Sequence, residues 1–124
     1  MAYRDVEVRN ERNRNRYRKA VLEQPFKTKA ERLKAKAKQK NIPYDLDTDY
    51  LEQKWTGYCA ISGLPINLHG PRVDPYHAEL DRFTPSKGYT KGNVFWVSRK
   101  FNILKSNSTL DELELIIKFL KDNG

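Results

Sequence analysis

The sequence predicts an α+β fold in which a β-hairpin runs into a helix, with a basic helical extension ahead of it and a packing helix behind. Three observations carry that reading. Residues 79–105, ELDRFTPSKGYTKGNVFWVSRKFNILK, read as a strand, a basic Gly-containing loop, a β-rich strand and the start of a helix. Two capping-box patterns, Thr28-Lys-Ala-Glu31 and Thr109-Leu-Asp-Glu112, each stand ahead of apolar residues at helical spacing. The formal net charge of +8 gathers at one end: residues 1–40 hold fourteen Lys and Arg against five Asp and Glu, whereas residues 41–124 hold ten against eleven. The chain therefore divides into a basic helical arm over 1–42 and a hairpin-and-helix unit over 43–124.

The 124 residues suffice for one modest hydrophobic core. No run of eighteen apolar residues occurs and the Arg-rich N-terminus lacks an apolar signal core, which predicts a soluble protein that is not secreted and has no membrane partner. A one-ended basic segment is the electrostatic footprint of polyanion binding, because each neutralised phosphate releases counterions. An anionic membrane surface would attract the same charges, but no bulky apolar face accompanies them. Cys59 is alone, so no intrachain disulfide forms, and the chain offers no His partner and acyl-type site that would make it a catalytic thiol.

Taken in order, residues 3–24 alternate Arg and Asn, with Arg9, Arg12, Arg14 and Arg16 among Asn13 and Asn15, and few apolar anchors before Tyr17, Val21 and Leu22. This is either a helix that forms against DNA or a solvated tail, and Pro25 is expected to end it. A helix is expected over residues 28–40, with Phe26, Ala30, Leu33 and Ala37 as a narrow Ala-rich stripe against the core. Lys29, Arg32, Lys34, Lys36, Lys38 and Lys40 would then face outward, toward a phosphate backbone or plain solvent. Asn41-Ile-Pro43 breaks the helix, Tyr44-Asp45-Leu46 is a short extended piece, and Asp47 or Thr48 caps a second helix that carries Leu51 and Trp55 to the core.

Residues 59–66, CAISGLPI, read as a tight hairpin with Gly63 and Pro65 in the turn and Ile61 and Ile66 turned inward. Residues 67–76 form an irregular loop, and His69 within it has no expected role. On the strand that follows, His77, Glu79 and Asp81 share a face, but at about 3.3 Å per residue the His77 backbone lies roughly 13 Å from that of Asp81. Glu79 and, less closely, His77 are candidate additional members of a site around Asp81, with ordinary surface positions as the other reading. The loop over 84–93 places Lys87 and Lys91 around Gly88-Tyr89, able to approach a phosphate or simply to turn. Residues 94–97 form a strand whose alternate members fill the core, and Ser98 caps the next helix. Asn102 lies inside that helix, where an amide is locally unfavourable, and Arg99, Lys100 and Lys105 flank it. Leu110, Leu113, Ile116, Ile117 and Leu120 form a last stripe expected to close the core, any exposed remainder of which would support a dimer.

The order Asp81, Asn93, Asn102 over strand, loop, strand and helix resembles the HNH endonucleases, also called ββα-metal or His-Me finger nucleases. It is similar in particular to a small phage-encoded branch whose core reads LDRxxPSKGYTxxNVxWVxxxxNxxK, and the lead-in KAKAKQKNIPYDLDTDYLEQKW is similar as well, so that the likeness covers roughly residues 30–120. The resemblance implies a ββα-metal finger in which Asp81 and Asn102 bind Mg2+ or Mn2+ and Asn93 braces the loop. A hard cation of this kind takes oxygen donors and keeps several waters, so two protein anchors are enough. The residue after the first Asp is usually a His that activates water, and here it is Arg82. A guanidinium stays protonated and cannot serve as an ordinary general base, though it can hold the scissile phosphate. Relatives with Cys-x-x-Cys knuckles bind structural zinc; this chain has Cys59-Ala-Ile-Ser62 in that place, and no structural zinc is expected.

The function this implies is a metal-dependent DNA endonuclease of homing type. It would nick as a monomer and cut both strands as a homodimer or in two events. The catalytic set is Asp81, Arg82, Asn93 and Asn102, and the DNA contacts are Arg12, Arg14, Arg16, Arg32, Lys36, Lys87, Lys91, Arg99 and Lys105. The alternative is a non-cleaving DNA-binding protein on a degenerate finger, for which Arg82 is the signal. Duplex DNA, branched DNA and RNA are not separated by these residues. The family likeness also implies a phage-encoded protein working in the bacterial cytoplasm.

Overall fold

The computed structural model describes residues 2–124, with the side chains of residues 2–8, Tyr17, Ala20 and Val21 outside that description; two expected anchors of the arm, Tyr17 and Val21, fall among these. The order is α1 (Ala2–Glu23), α2 (Pro25–Gln39), α3 (Thr48–Lys54), β1 (Ala78–Arg82), a 3-10 turn (Pro85–Lys87), β2 (Val94–Ser98), α4 (Arg99–Lys105) and α5 (Leu110–Asn123). This is an α+β architecture: among the described residues, five helices accompany a two-stranded antiparallel hairpin. The hairpin pairs Ala78 with Ser98, Leu80 with Trp96 and Arg82 with Val94.

The core draws Ala30, Leu33 and Ala37 from α2, Leu51 from α3, Leu80 from β1, and Val94, Trp96 and Val97 from β2, with Leu46, Cys59 and Ile66 from the connections. Small residues on α2 let its backbone approach closely, and Ala37 is wholly buried. Phe26, Trp55 and Trp96 meet edge to face, with ring centroids 5.1 Å apart for the two tryptophans. The Trp96 indole donates to Leu51 O at 3.1 Å, so its polar edge is satisfied inside the core. The loop between the strands presses on the link after α2: Tyr89 N donates to Pro43 O at 2.9 Å. Gly88 has φ 73°, and a Cβ there would stand 2.3 Å from Pro43 O, so neither the conformation nor the space admits a side chain.

Helix ends follow local chemistry, with one shift. Asp47 accepts from Tyr50 N at 2.8 Å, Ser98 from Phe101 N at 3.2 Å, and Thr109 exchanges both capping-box bonds with Glu112. The α2 helix, however, begins at Pro25 rather than Thr28. Pro25 has a fixed φ and no N–H to leave unpaired, which suits a first turn, while Thr28 N already bonds Gln24 O at 3.0 Å inside the helix. Pro25 thus separates α1 from α2 by opening the second.

Three inward and outward assignments also change. Lys29, expected on the solvent side, is 9% exposed and donates to Ala78 O at 3.3 Å, because it shares the α2 face of Leu33 and Ala37. In the 59–66 turn, closed by Cys59 N to Leu64 O at 2.8 Å, Cys59 and Ile66 face inward while Ile61 is 47% exposed. The largest correction is α5. None of its residues is buried, since the core is already complete with α2, α3 and the hairpin, and the stripe expected to close it lies open.

Candidate functional site

Strand alternation sends Glu79 and Asp81 of β1 to the same side of the hairpin. The α4 helix leaves β2 through the Ser98 cap and runs back along that side, and α2 forms the opposite wall. Between them lies a groove of about 360 Å³ whose floor includes Glu79, Asp81, Arg82 and Asn102 and whose α2 wall includes Lys29, Arg32, Lys36 and Lys40. Arg32, Lys36 and Lys40 are spaced four apart and form one row along the helix.

Two rungs join α4 to β1. Asn102 Nδ2 donates to Glu79 Oε2, and Arg99 Nη1 stands 3.6 Å from the other oxygen of Glu79. One turn on, Lys105 Nζ stands 3.0 Å from Asp81 Oδ2 and donates to Arg82 O at 3.0 Å, with the Phe95 ring centroid 5.9 Å away. Lys105 stands about one helical turn beyond Asn102, and Asp81 two strand residues beyond Glu79, so the rungs lie one after the other along the two elements. Asp81 is 8% exposed, and its Oδ1 accepts from Arg82 N at 2.7 Å. Its Oδ2 meets the ammonium as an ion pair but off the direction of a hydrogen bond, leaving that buried oxygen with no hydrogen-bond donor.

Arg82 and Asn93 shape the loop. Arg82 Nη1 donates to Pro85 O at 3.1 Å and the guanidinium lies 4.9 Å over the Tyr89 ring. Asn93 accepts from Thr84 N at 3.0 Å and donates to Thr84 O at 2.9 Å and Gly88 O at 2.7 Å, holding both ends of the turn together.

The groove thus brings together Asp81, Arg82, Asn102 and Glu79, while Asn93 lies behind the loop. His77 is elsewhere: 6% exposed, it lines a separate hollow of about 100 Å³ with Thr28, Lys29, Arg32 and Arg72. Burial, reinforced by the Lys29 charge, lowers the His77 pKa, and its Nδ1 has no partner. Burial likewise lowers the pKa of Lys29, against the pull of Glu79. Of the expected DNA contacts, Arg32 and Lys36 line the groove, Arg12, Arg14 and Arg16 are exposed on α1, and Lys87 is exposed at the 3-10 turn. Lys91 pairs with Asp47 at 3.2 Å beside α3, and Arg99 and Lys105 are engaged by the acids of β1. Tyr89, Ser106 and Asn107 also line the groove and carried no sequence signal, whereas Lys105 had one: three residues beyond Asn102, it shares that helix face.

The donor set suits a small, hard cation. Two carboxylates and a carboxamide offer oxygen ligands, and Asp81 Oδ2 accepts no hydrogen bond, though the Lys105 ammonium stands 3.0 Å from it and would have to give way to an ion. Among the described residues no group of three or more His, Cys, Asp or Glu side chains gathers as a cage. A cation here would rest on one or two carboxylates, with water and phosphate completing the shell, which is the habit of Mg2+.

Over 92 residues the sequence is 37% identical to an uncharacterised 29.0 kDa protein of Enterobacteria phage T4, encoded in the dda-modA intergenic region. The chain has a phage relative. The match takes in 71% of this chain and 35% of the T4 protein, so the chain spans about a third of the relative's length. No family model and no solved structure matches. Among the described residues no helix is long and apolar enough to cross a membrane.

Proposed function

We propose that the protein is a metal-dependent DNA endonuclease of the ββα-metal (HNH) type, of the phage homing kind, that nicks a phosphodiester strand. The observation that carries this reading is the groove itself, where the acids Glu79 and Asp81 and the amide of Asn102 lie under the Arg32, Lys36 and Lys40 row. A floor that offers oxygen donors beneath a phosphate-attracting wall is what in-groove cleavage of a polyanion requires.

In this reading Asp81 and Asn102 hold Mg2+ or Mn2+, and Asn93 keeps the loop in shape behind them. When bound, such an ion neutralises charge on the phosphate and makes a water more acidic. Arg82, fixed on Pro85 O and Tyr89, serves the phosphate and accepts no proton. Glu79 takes the proton of the attacking water once Asn102 turns away from it. The water oxygen bonds to phosphorus, the ester bond breaks, and the leaving oxygen is protonated from solvent.

The test is conversion of supercoiled plasmid to open circle with Mg2+, Mn2+ or EDTA, for the wild type, Asp81→Ala and Arg82→Ala. Metal-dependent nicking that Asp81→Ala abolishes is the expected result. A second reading, a DNA-binding protein that does not cleave, is favoured by the Lys105 ammonium 3.0 Å from Asp81 and by Arg82 in the place of a base. Plasmid left intact in every metal, but shifted on a gel in a salt-sensitive way, would decide for it.

A further inference from the structure

Helix α5 presents an apolar seam that nothing in its own chain covers. Leu110, Leu113, Ile117 and Leu120 recur at intervals of three, four and three, the spacing that aims side chains at a neighbouring helix, and Ile116 adjoins them. Leu113 is half-buried, whereas Leu110, Ile116, Ile117 and Leu120 are between 51% and 71% exposed. Leu110 to Leu120 gives a seam about 15 Å long, and the Thr109 capping box fixes its first turn. Leu115 and Phe119 lie on the far face and take no part in it. A contiguous apolar strip of this kind marks an interface.

Of the charges on α5, Glu114 and Lys121 flank the seam and the others project away from it, and that pair says what fits. Asp111, Glu112 and Glu114 occupy the first half of α5, and Lys118 and Lys121 the second, with Asp122 after them. An acid-rich helix repels a nucleic acid, and it lacks the Lys- and Arg-rich polar face of a helix that lies on a membrane. A second α5 running antiparallel sets the flank that holds Glu114 and Lys121 against the same flank of its partner, as two-fold symmetry requires, whereas a parallel copy would face Glu114 with the opposite flank, which carries Ile116 and no basic residue. With Leu110 opposite Leu120 of the partner subunit, Glu114 comes within reach of Lys121 of the partner subunit, both standing on the same flank of the seam.

We propose that α5 is the interface of a homodimer in which two copies of this chain pack their α5 seams antiparallel. The inference stands apart from the nuclease reading, since it is tested without DNA or metal. Sedimentation velocity and light scattering on the full chain should give the dimer mass. Ile117→Glu should give a monomer with unchanged far-UV circular dichroism, because that side chain lies outside the core. Glu114→Lys should weaken the dimer by about tenfold, through two lost ion pairs, and Lys121→Glu added to the same chain should restore it. A monomer at the highest soluble concentration, or association indifferent to Ile117→Glu, overturns the interface; failure of the charge exchange to rescue overturns its antiparallel arrangement.

Discussion

Lys105 occupies the side of Asp81 that a divalent cation would use, and this one contact separates two kinds of protein. If the ammonium is a lasting partner, Asp81 is structural; if it gives way, Asp81 is a ligand. Lys105→Met leaves a buried carboxylate without its counter-charge, and unfolding stability should fall by about 3 kcal/mol in EDTA. Mn2+ should restore most of that loss, read as a rise in melting temperature that Asp81→Asn does not show. His77 offers a pH signature at the same scale. Burial, with Lys29 and Arg72 adding to it against Glu79 and Asp74, holds its pKa below the ordinary 6.5, so in the window under 6.5 the unfolded chain binds a proton that the folded chain refuses. Stability should therefore be complete above that value and decline as pH drops through it, and His77→Gln should flatten the decline in a series of thermal melts.

At the scale of elements, α2 has two duties on two faces. Ala30, Leu33 and Ala37 fill the core, and the Arg32, Lys36 and Lys40 row faces the groove. Exchanging those three basic residues for Gln should leave the fold intact and reduce the slope of log affinity against log salt by about 2 to 3 on duplex DNA, measured by fluorescence anisotropy. Much of this layout was legible beforehand. The strand, loop, strand and helix over 79–105 changes its apolar period where the structure changes element, and Asp47, Ser98 and Thr109 cap where they stand. What could not be read is where a stripe is buried. Helical spacing shows that α5 has an apolar face but not what that face meets, and only the finished core shows that no room remains for it. Lys29 was half legible: four residues before Leu33 and eight before Ala37 places it on the buried side, but its charge argued for solvent. The facing of β1 and α4 was legible and its contacts were not, since sequence order puts Asp81 and Asn102 on neighbouring elements without saying that Asn102 meets Glu79 and Lys105 meets Asp81.

For the molecule as a whole, the walls of the groove are fastened to each other at both ends. Near one end Tyr89 N is bonded to Pro43 O at 2.9 Å and Asp45 N to Tyr89 O at 3.2 Å. Toward the other, Lys29 of α2 reaches Ala78 O of β1 at 3.3 Å. Gly88, with no room for even a methyl group against Pro43, keeps the first fastening tight. The distance from the basic row to the acidic floor is therefore a set dimension, like the gap of a calliper. On the proposed function, a strand would be admitted by its girth and curvature and not by closure of the protein around it, and the choice among duplex, branched and single-stranded nucleic acid would fall to the shape of what is offered.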